Sequence, residues 1–188
     1  AAIGDLKVKD AEDAIIATLT QYTSENYQRT AYAALSKIAG AKSAPFFLAK
    51  LKASNYAYDK SNIGGLTLDY AKNLHAEGND KLALSIATAV SKGADKAAAP
   101  TLQVGALHLL SEVDPNVARK QLMKAATSEN TLYRATALDI LGQKKSLLTT
   151  KALIKSLKKA SPAVQESILN FLAIQGAPAD AAFIQNNS

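Results

Sequence analysis

Apolar positions along this chain recur at intervals of three and four, the spacing that gathers side chains on one face of an α-helix. Ile15, Ile16 and Leu19 share such a face behind an acidic start, Asp10, Glu12 and Asp13, which is expected to cap a first helix. A second stripe carries Ala34, Leu35 and Ile38 between a capping Ser24 and Gly40. Phe46, Phe47, Leu48 and Leu51 predict a third helix over about residues 45–54. A fourth is predicted over 59–77, stopped by Gly78 and open to a break at Gly64-Gly65. Asp80 caps a fifth that stops at Gly93, and a sixth covers 97–111, where Pro100 fits a first turn better than a helix middle. Asp114-Pro115 and Ser161-Pro162 open the seventh and tenth helices, each pairing a capping side chain with proline at the first helical position. The eighth is predicted over 130–141, the ninth over 146–160, and an eleventh takes in Ala181, Phe183 and Ile184. No stretch sustains a two-residue alternation rich in β-branched residues, so no sheet is predicted.

The helices also repeat. Ala106-Leu107 with Leu110, Ala137-Leu138 with Leu141, and Ile168-Leu169 with Leu172 follow one another at a 31-residue step. Leu122, Leu153 and Ile184 keep the same step. An earlier copy, Ala34-Leu35 with Ile38, lies 72 residues before Ala106, room for one ordinary repeat and one longer one. Periods of this size mark stacked supersecondary units, each covering its apolar face with its neighbour. Leu107, Leu138 and Leu169 are therefore expected at equivalent buried sites.

Three segments carry a family resemblance: Arg29-Thr-Ala-Tyr-Ala-Ala-Leu-Ser-Lys-Ile-Ala-Gly40, Arg134-Ala-Thr-Ala-Leu-Asp-Ile-Leu-Gly142 and Val164-Gln-Glu-Ser-Ile-Leu-Asn-Phe-Leu-Ala-Ile-Gln-Gly176. Each sets small and apolar residues at helical spacing and closes on Gly. This resembles HEAT repeats, of the armadillo-type class. The resemblance implies an all-α, right-handed α-α superhelix of about five helix pairs plus a leading helix, spanning 1–188 as one domain. It implies a non-catalytic scaffold that binds proteins, less often nucleic acid, and it brings no catalytic residues. The stretch 55–93 departs most from the pattern. The Lys-rich, Ala-rich texture also resembles the helical segments that precede the jelly-roll domain of large secreted bacterial 3-keto-disaccharide hydrolase-like proteins, although no motif carries that likeness. An alternative is a nucleic-acid-binding repeat protein similar to the alkylpurine DNA glycosylases. The lack of Trp, scarce Arg and no Asp in an aromatic cleft speak against it.

Charge changes this picture little. The net charge is +6, but only Arg29, Arg119 and Arg134 of the 22 basic residues are arginine. Phosphate and base recognition favours the bidentate guanidinium fork, so the composition speaks against nucleic acid as the partner. Lys151, Lys155 and Lys158 share one face of the ninth helix. That face is either a solvated exterior or an anion-binding ridge, and salt-sensitive binding separates the two.

Candidate chemistry is sparse. With no cysteine, disulfides, thiolate metal sites and a cysteine nucleophile are excluded. His75 and His108 are the only imidazoles; His108 and Glu112 stand at i, i+4, and neither has the third partner a metal site needs. No catalytic motif or phosphate loop is present, so no activity, no cofactor and no metal are expected. No apolar run approaches a membrane span. Tyrosine is the dominant aromatic and suits interfaces. Tyr56 and Tyr58, in a loop between helices, are the best exposed candidates for contact with a protein partner or adjacent domain. Phe183 and Ile184, at the end of the repeat series, are expected to form an apolar patch that meets a following domain or a second copy. The start Ala1-Ala2-Ile3-Gly4 lacks Met, as in a processed chain or a segment of a longer one, and a periplasmic or secreted setting is expected ahead of a cytoplasmic one.

Overall fold

The computed structural model describes residues 10–148 and 150–175, and all regular structure among them is helical. The chain divides at the Asp114–Pro115 bond into two compact units.

The first unit holds α1 (Ala11–Leu19), α2 (Glu25–Ile38), a 3-10 turn (Ala41–Ser43), α3 (Ala44–Ala53), α4 (Ile63–Ala76), α5 (Asp80–Lys96) and α6 (Pro100–Val113). Helices pack on their sequence neighbours and on the next but one: α2 on α4, α4 on α6, and α3 on α5. Two layers result, with Leu35, Ile38, Phe47, Leu51, Tyr70, Leu74, Ile86, Val90 and Leu110 closed away between them. The apolar stripes predicted from spacing are the buried faces, as burial of a one-sided helix requires. At the centre of the core Phe47 stacks on Tyr70 with ring centroids 4.4 Å apart, and Tyr32 meets Phe47 edge-on at 5.0 Å. Burial pushes the Tyr32 hydroxyl up to about 12. Burial, and next the Glu12 carboxylate, push the Tyr70 hydroxyl higher still.

Glu12 corrects the expectation for α1. It is not a solvent-facing cap but a buried carboxylate. One of its oxygens accepts from the Ser43 backbone N–H at 2.8 Å and from the Ser43 hydroxyl at 2.7 Å. It thereby fastens α1 to the 3-10 turn, and Asp13 pairs with Lys42 beside it at 2.6 Å. Tyr70 donates to the Gly40 carbonyl in the same place.

Two helix ends fall elsewhere than the sequence suggests, and a third falls where Pro100 points. Helix α4 begins at Ile63, not Asp59. Asp59 stays outside and accepts from the Ile63 N–H at 3.2 Å and from the Ser61 hydroxyl at 2.8 Å. Gly64 and Gly65 do not break α4; a Cβ on Gly64 would lie 2.8 Å from Leu102, so the glycine lets α6 approach. Helix α5 runs through Gly93 to Lys96, because that glycine makes room for a side chain rather than ending the helix. Helix α6 begins at Pro100, where proline's missing N–H is no loss.

The second unit holds α7 (Pro115–Ala126), α8 (Thr131–Gln143), a 3-10 turn (Lys145–Leu147), α9 (Thr150–Leu157) and α10 (Pro162–Ile174). Here too α7 packs on α9 and α8 on α10. The predicted ninth helix is thus split, its first residues forming the separate 3-10 turn. Leu122, Leu138, Leu141, Leu153, Val164, Ile168 and Leu172 form the core. Arg134, 5% exposed, donates to Ser128 and Glu129 carbonyls and to the Ser167 hydroxyl, so it ties α8 to α10 and to the preceding loop.

The 31-residue register maps onto buried positions at its first and last members: Ala106, Ala137 and Ile168, then Leu110, Leu141 and Leu172. Leu107 and Leu138 are buried as expected, but Leu169 is only half-buried. Ile184, Phe183 and the predicted eleventh helix lie outside the described residues.

Candidate interaction groove

The loop from α3 to α4 is built by an unusual backbone. Helix α3 ends at Ala53, Asn55 turns into the left-handed region (φ 52°), and the Tyr56 N–H returns to the Leu51 carbonyl at 3.2 Å. This is the closure by which a left-handed residue ends a helix, usually a glycine. Tyr56 also has positive φ, 59°, and so does Asn62 (53°) just before α4. Helix α5 ends in the same manner: Ala98 has φ 52°, and the Ala99 N–H reaches the Ala94 carbonyl at 2.9 Å. For Tyr56 and Ala98 this conformation costs on the order of 1 kcal/mol or more, whereas Asn55 and Asn62 are of a type that adopts it readily.

These two strained loops face one another across a groove of about 500 Å³. Its walls include Tyr56, Tyr58, Asp59, Asn62, Leu68, Ala98, Pro100 and Leu102. Five described non-glycine residues have positive φ, namely Ala39, Asn55, Tyr56, Asn62 and Ala98, and all but Ala39 line this one groove. Strain of this kind concentrates where a protein shapes a site. Tyr58 is 89% exposed, an aromatic ring held almost wholly in solvent. Tyr56 is half-buried, its ring laid on Gly93 of α5 so closely that a Cβ there would lie 1.8 Å from Tyr56 Cζ. Asp59 is committed to the start of α4, so the groove carries little free acid.

A second groove of about 570 Å³ opens on the other side of Tyr56. It is lined by Lys52, Lys92 and Lys96 together with Asn55, Tyr56, Ala89, Gly93 and Ala97. Nothing in the order of residues signals this cluster, because Lys52 and Lys92 stand 40 residues apart and meet only through the packing of α3 on α5.

The other predicted residues fall apart from these grooves. Lys151 and Lys155 lie exposed on α9, and Lys158, also exposed, lies just past its end. Charge divides unevenly along the chain: residues 1–114 carry 12 basic and 12 acidic residues, residues 115–188 carry 10 and 4. The whole net charge therefore belongs to the second unit. Of the three arginines, Arg134 is buried and Arg119 donates to the Ser146 carbonyl at 3.2 Å. His75 Nδ1 lies 2.6 Å from Asp80 Oδ1, while His108 and Glu112 are exposed. Among the described residues no group of His, Asp and Glu could hold a metal ion, and no helix is long and apolar enough to cross a membrane.

Comparison with protein-family models, with curated proteins and with solved structures finds no match to this chain.

Proposed function

We propose that this chain is a non-catalytic interaction module that takes a segment of a partner protein into the Tyr56–Tyr58 groove. The observation that carries the reading is the gathering of four left-handed residues around that groove, Tyr56 and Ala98 among them under strain, with an aromatic ring held in water at its rim. Tyrosine offers rigid, amphipathic contact area at low entropy cost, which is why it anchors interfaces. The groove is apolar in the main and large enough for two or three side chains of an extended or helical peptide.

The fold reading that goes with this is a HEAT-like stack of helix pairs within each unit. Support comes from the packing of alternate helices on one another and from the buried register positions. Repeats of this kind act through shape and surface, consistent with a site made of loops and helix ends rather than of nucleophile and base. A helical domain of a secreted sugar-active protein stands as the alternative context for the same binding role.

The test is selection of a random-peptide library on the whole chain, followed by Tyr58→Ala. Tyr58 makes no core contact that its exposure would reveal, so the variant keeps its fold. Retained peptides should lose affinity about tenfold or more, the behaviour of a tyrosine hot spot. Peptides that bind Tyr58→Ala as well as the parent would remove this groove from the function.

A further inference from the structure

We infer that the partner segment is acidic, with carboxylates seated on Lys52, Lys92 and Lys96 while its apolar part fills the tyrosine groove. This rests on the peptide-binding reading above and specifies its partner. Both grooves share Asn55, Tyr56 and Ala97 in their walls, so one short peptide passing over Tyr56 reaches both.

Three ammonium groups line the second groove, all three residues are exposed, and no Asp or Glu lines it with them. Lys52 and Lys96 sit in the last turns of α3 and α5, where the helix carbonyls offer partial compensation, and Lys92 lies one turn earlier on α5. Two helix C-termini supply roughly half a negative charge each, against three full positive charges, which leaves about two charges unmatched. This excess is local. The first unit as a whole is neutral, so the lysines are not a by-product of a basic composition. No arginine lines the groove to grip a phosphate backbone. A compact run of carboxylates on a peptide fits this lysine-only lining better than a nucleic acid does.

The experiment uses the same random-peptide library on the whole chain and reads the composition of what is retained. Retained peptides should carry Asp or Glu beside apolar or aromatic residues. The best of them, synthesised and titrated, should bind the triple variant K52Q/K92Q/K96Q about tenfold more weakly than the parent, the sum of modest exposed charge contacts. K52E/K92E/K96E should bind weaker still, and high salt should reduce parent binding in the same direction. All three positions are exposed, so folding is retained; circular dichroism checks it, with the Gln variant as the milder of the two.

Retained peptides that are sensitive to Tyr58→Ala but lack acidic residues, or that bind the Gln variant within twofold of the parent, overturn this inference alone. A library that yields no peptide, or only peptides indifferent to Tyr58, overturns the groove reading and this inference with it. A single-stranded oligonucleotide that binds in place of acidic peptides, and is lost in the same Lys variants, also overturns it.

Discussion

Gly93→Ala isolates the contact on which the groove depends. On α5 alone the change should stabilise the protein, since Ala exceeds Gly by about 0.8–1.0 kcal/mol in a helix interior. The new methyl, however, would enter the space held by the Tyr56 ring, 1.8 Å from Cζ and 2.0 Å from the hydroxyl oxygen. Carbon atoms pack at about 3.5–4.0 Å, so the ring has to leave its bed. Losing some 40–60 Å² of apolar burial at about 25 cal/mol per Å² costs about 1.0–1.5 kcal/mol. The two effects largely cancel, and Gly93→Ala by itself should leave stability unchanged or lower it by up to about 0.7 kcal/mol. In a Tyr56→Ala background nothing opposes the helix gain, and the same substitution should stabilise by about 1 kcal/mol. Urea unfolding of the four proteins therefore gives a coupling energy of about 1 kcal/mol, well above the scatter expected of independent sites. Equal stabilisation in both backgrounds would refute the seating of Tyr56 on Gly93 and, with it, the described wall between the two grooves.

Glu12→Ala should destabilise the first unit by about 2 kcal/mol, because it takes the carboxylate acceptor from the buried Ser43 hydroxyl and leaves the Ser43 N–H only its longer bond to the Gly40 carbonyl. A shift in the urea midpoint worth less than about 1 kcal/mol would contradict the proposed fastening of α1. Alkaline pH should also loosen the core. The phenols of Tyr32 and Tyr70 stay protonated in the fold when those of the unfolded chain ionise near 10.0. Their contribution is complete below about pH 10 and is lost as pH rises, through about 12 for Tyr32, at about 1.4 kcal/mol per pH unit and group. Unfolding curves across this range check it, and Tyr32→Phe should flatten the dependence.

The helices were legible because a buried face writes its period into the sequence: Leu35 and Ile38, Leu107 and Leu110, Leu138 and Leu141 all appear at helical spacing and all lie in the core. Several starts were legible from a capping side chain or a proline, as at Ser24, Pro115 and Pro162, whereas the C-terminal ends were legible only where glycine does what glycine usually does. Gly78, at φ 82°, closes α4 as read. The equivalent closures of α3 and α5 use Asn55 and Ala98, residues that give little or no warning of a left-handed turn. Gly93 misled in the opposite sense, since its role is set by a tyrosine from another segment. Glu12 looked like a first-turn acid, and only the approach of the Ser43 turn, 31 positions away, shows it to be a buried acceptor. Tyr56 and Tyr58 were visible as loop aromatics, whereas the Lys52, Lys92 and Lys96 cluster is a product of tertiary packing alone.

The central question is whether a partner segment occupies the Tyr56–Tyr58 groove. The most direct measurement is an amide chemical-shift map of the isotope-labelled chain, titrated with the tightest peptide from the library. The perturbed amides should cluster at residues 55–65 and 97–102, with a second set beside Lys52, Lys92 and Lys96. Perturbations centred on the exposed lysines of α9 and its end, or spread evenly over both units, would contradict occupancy of the groove.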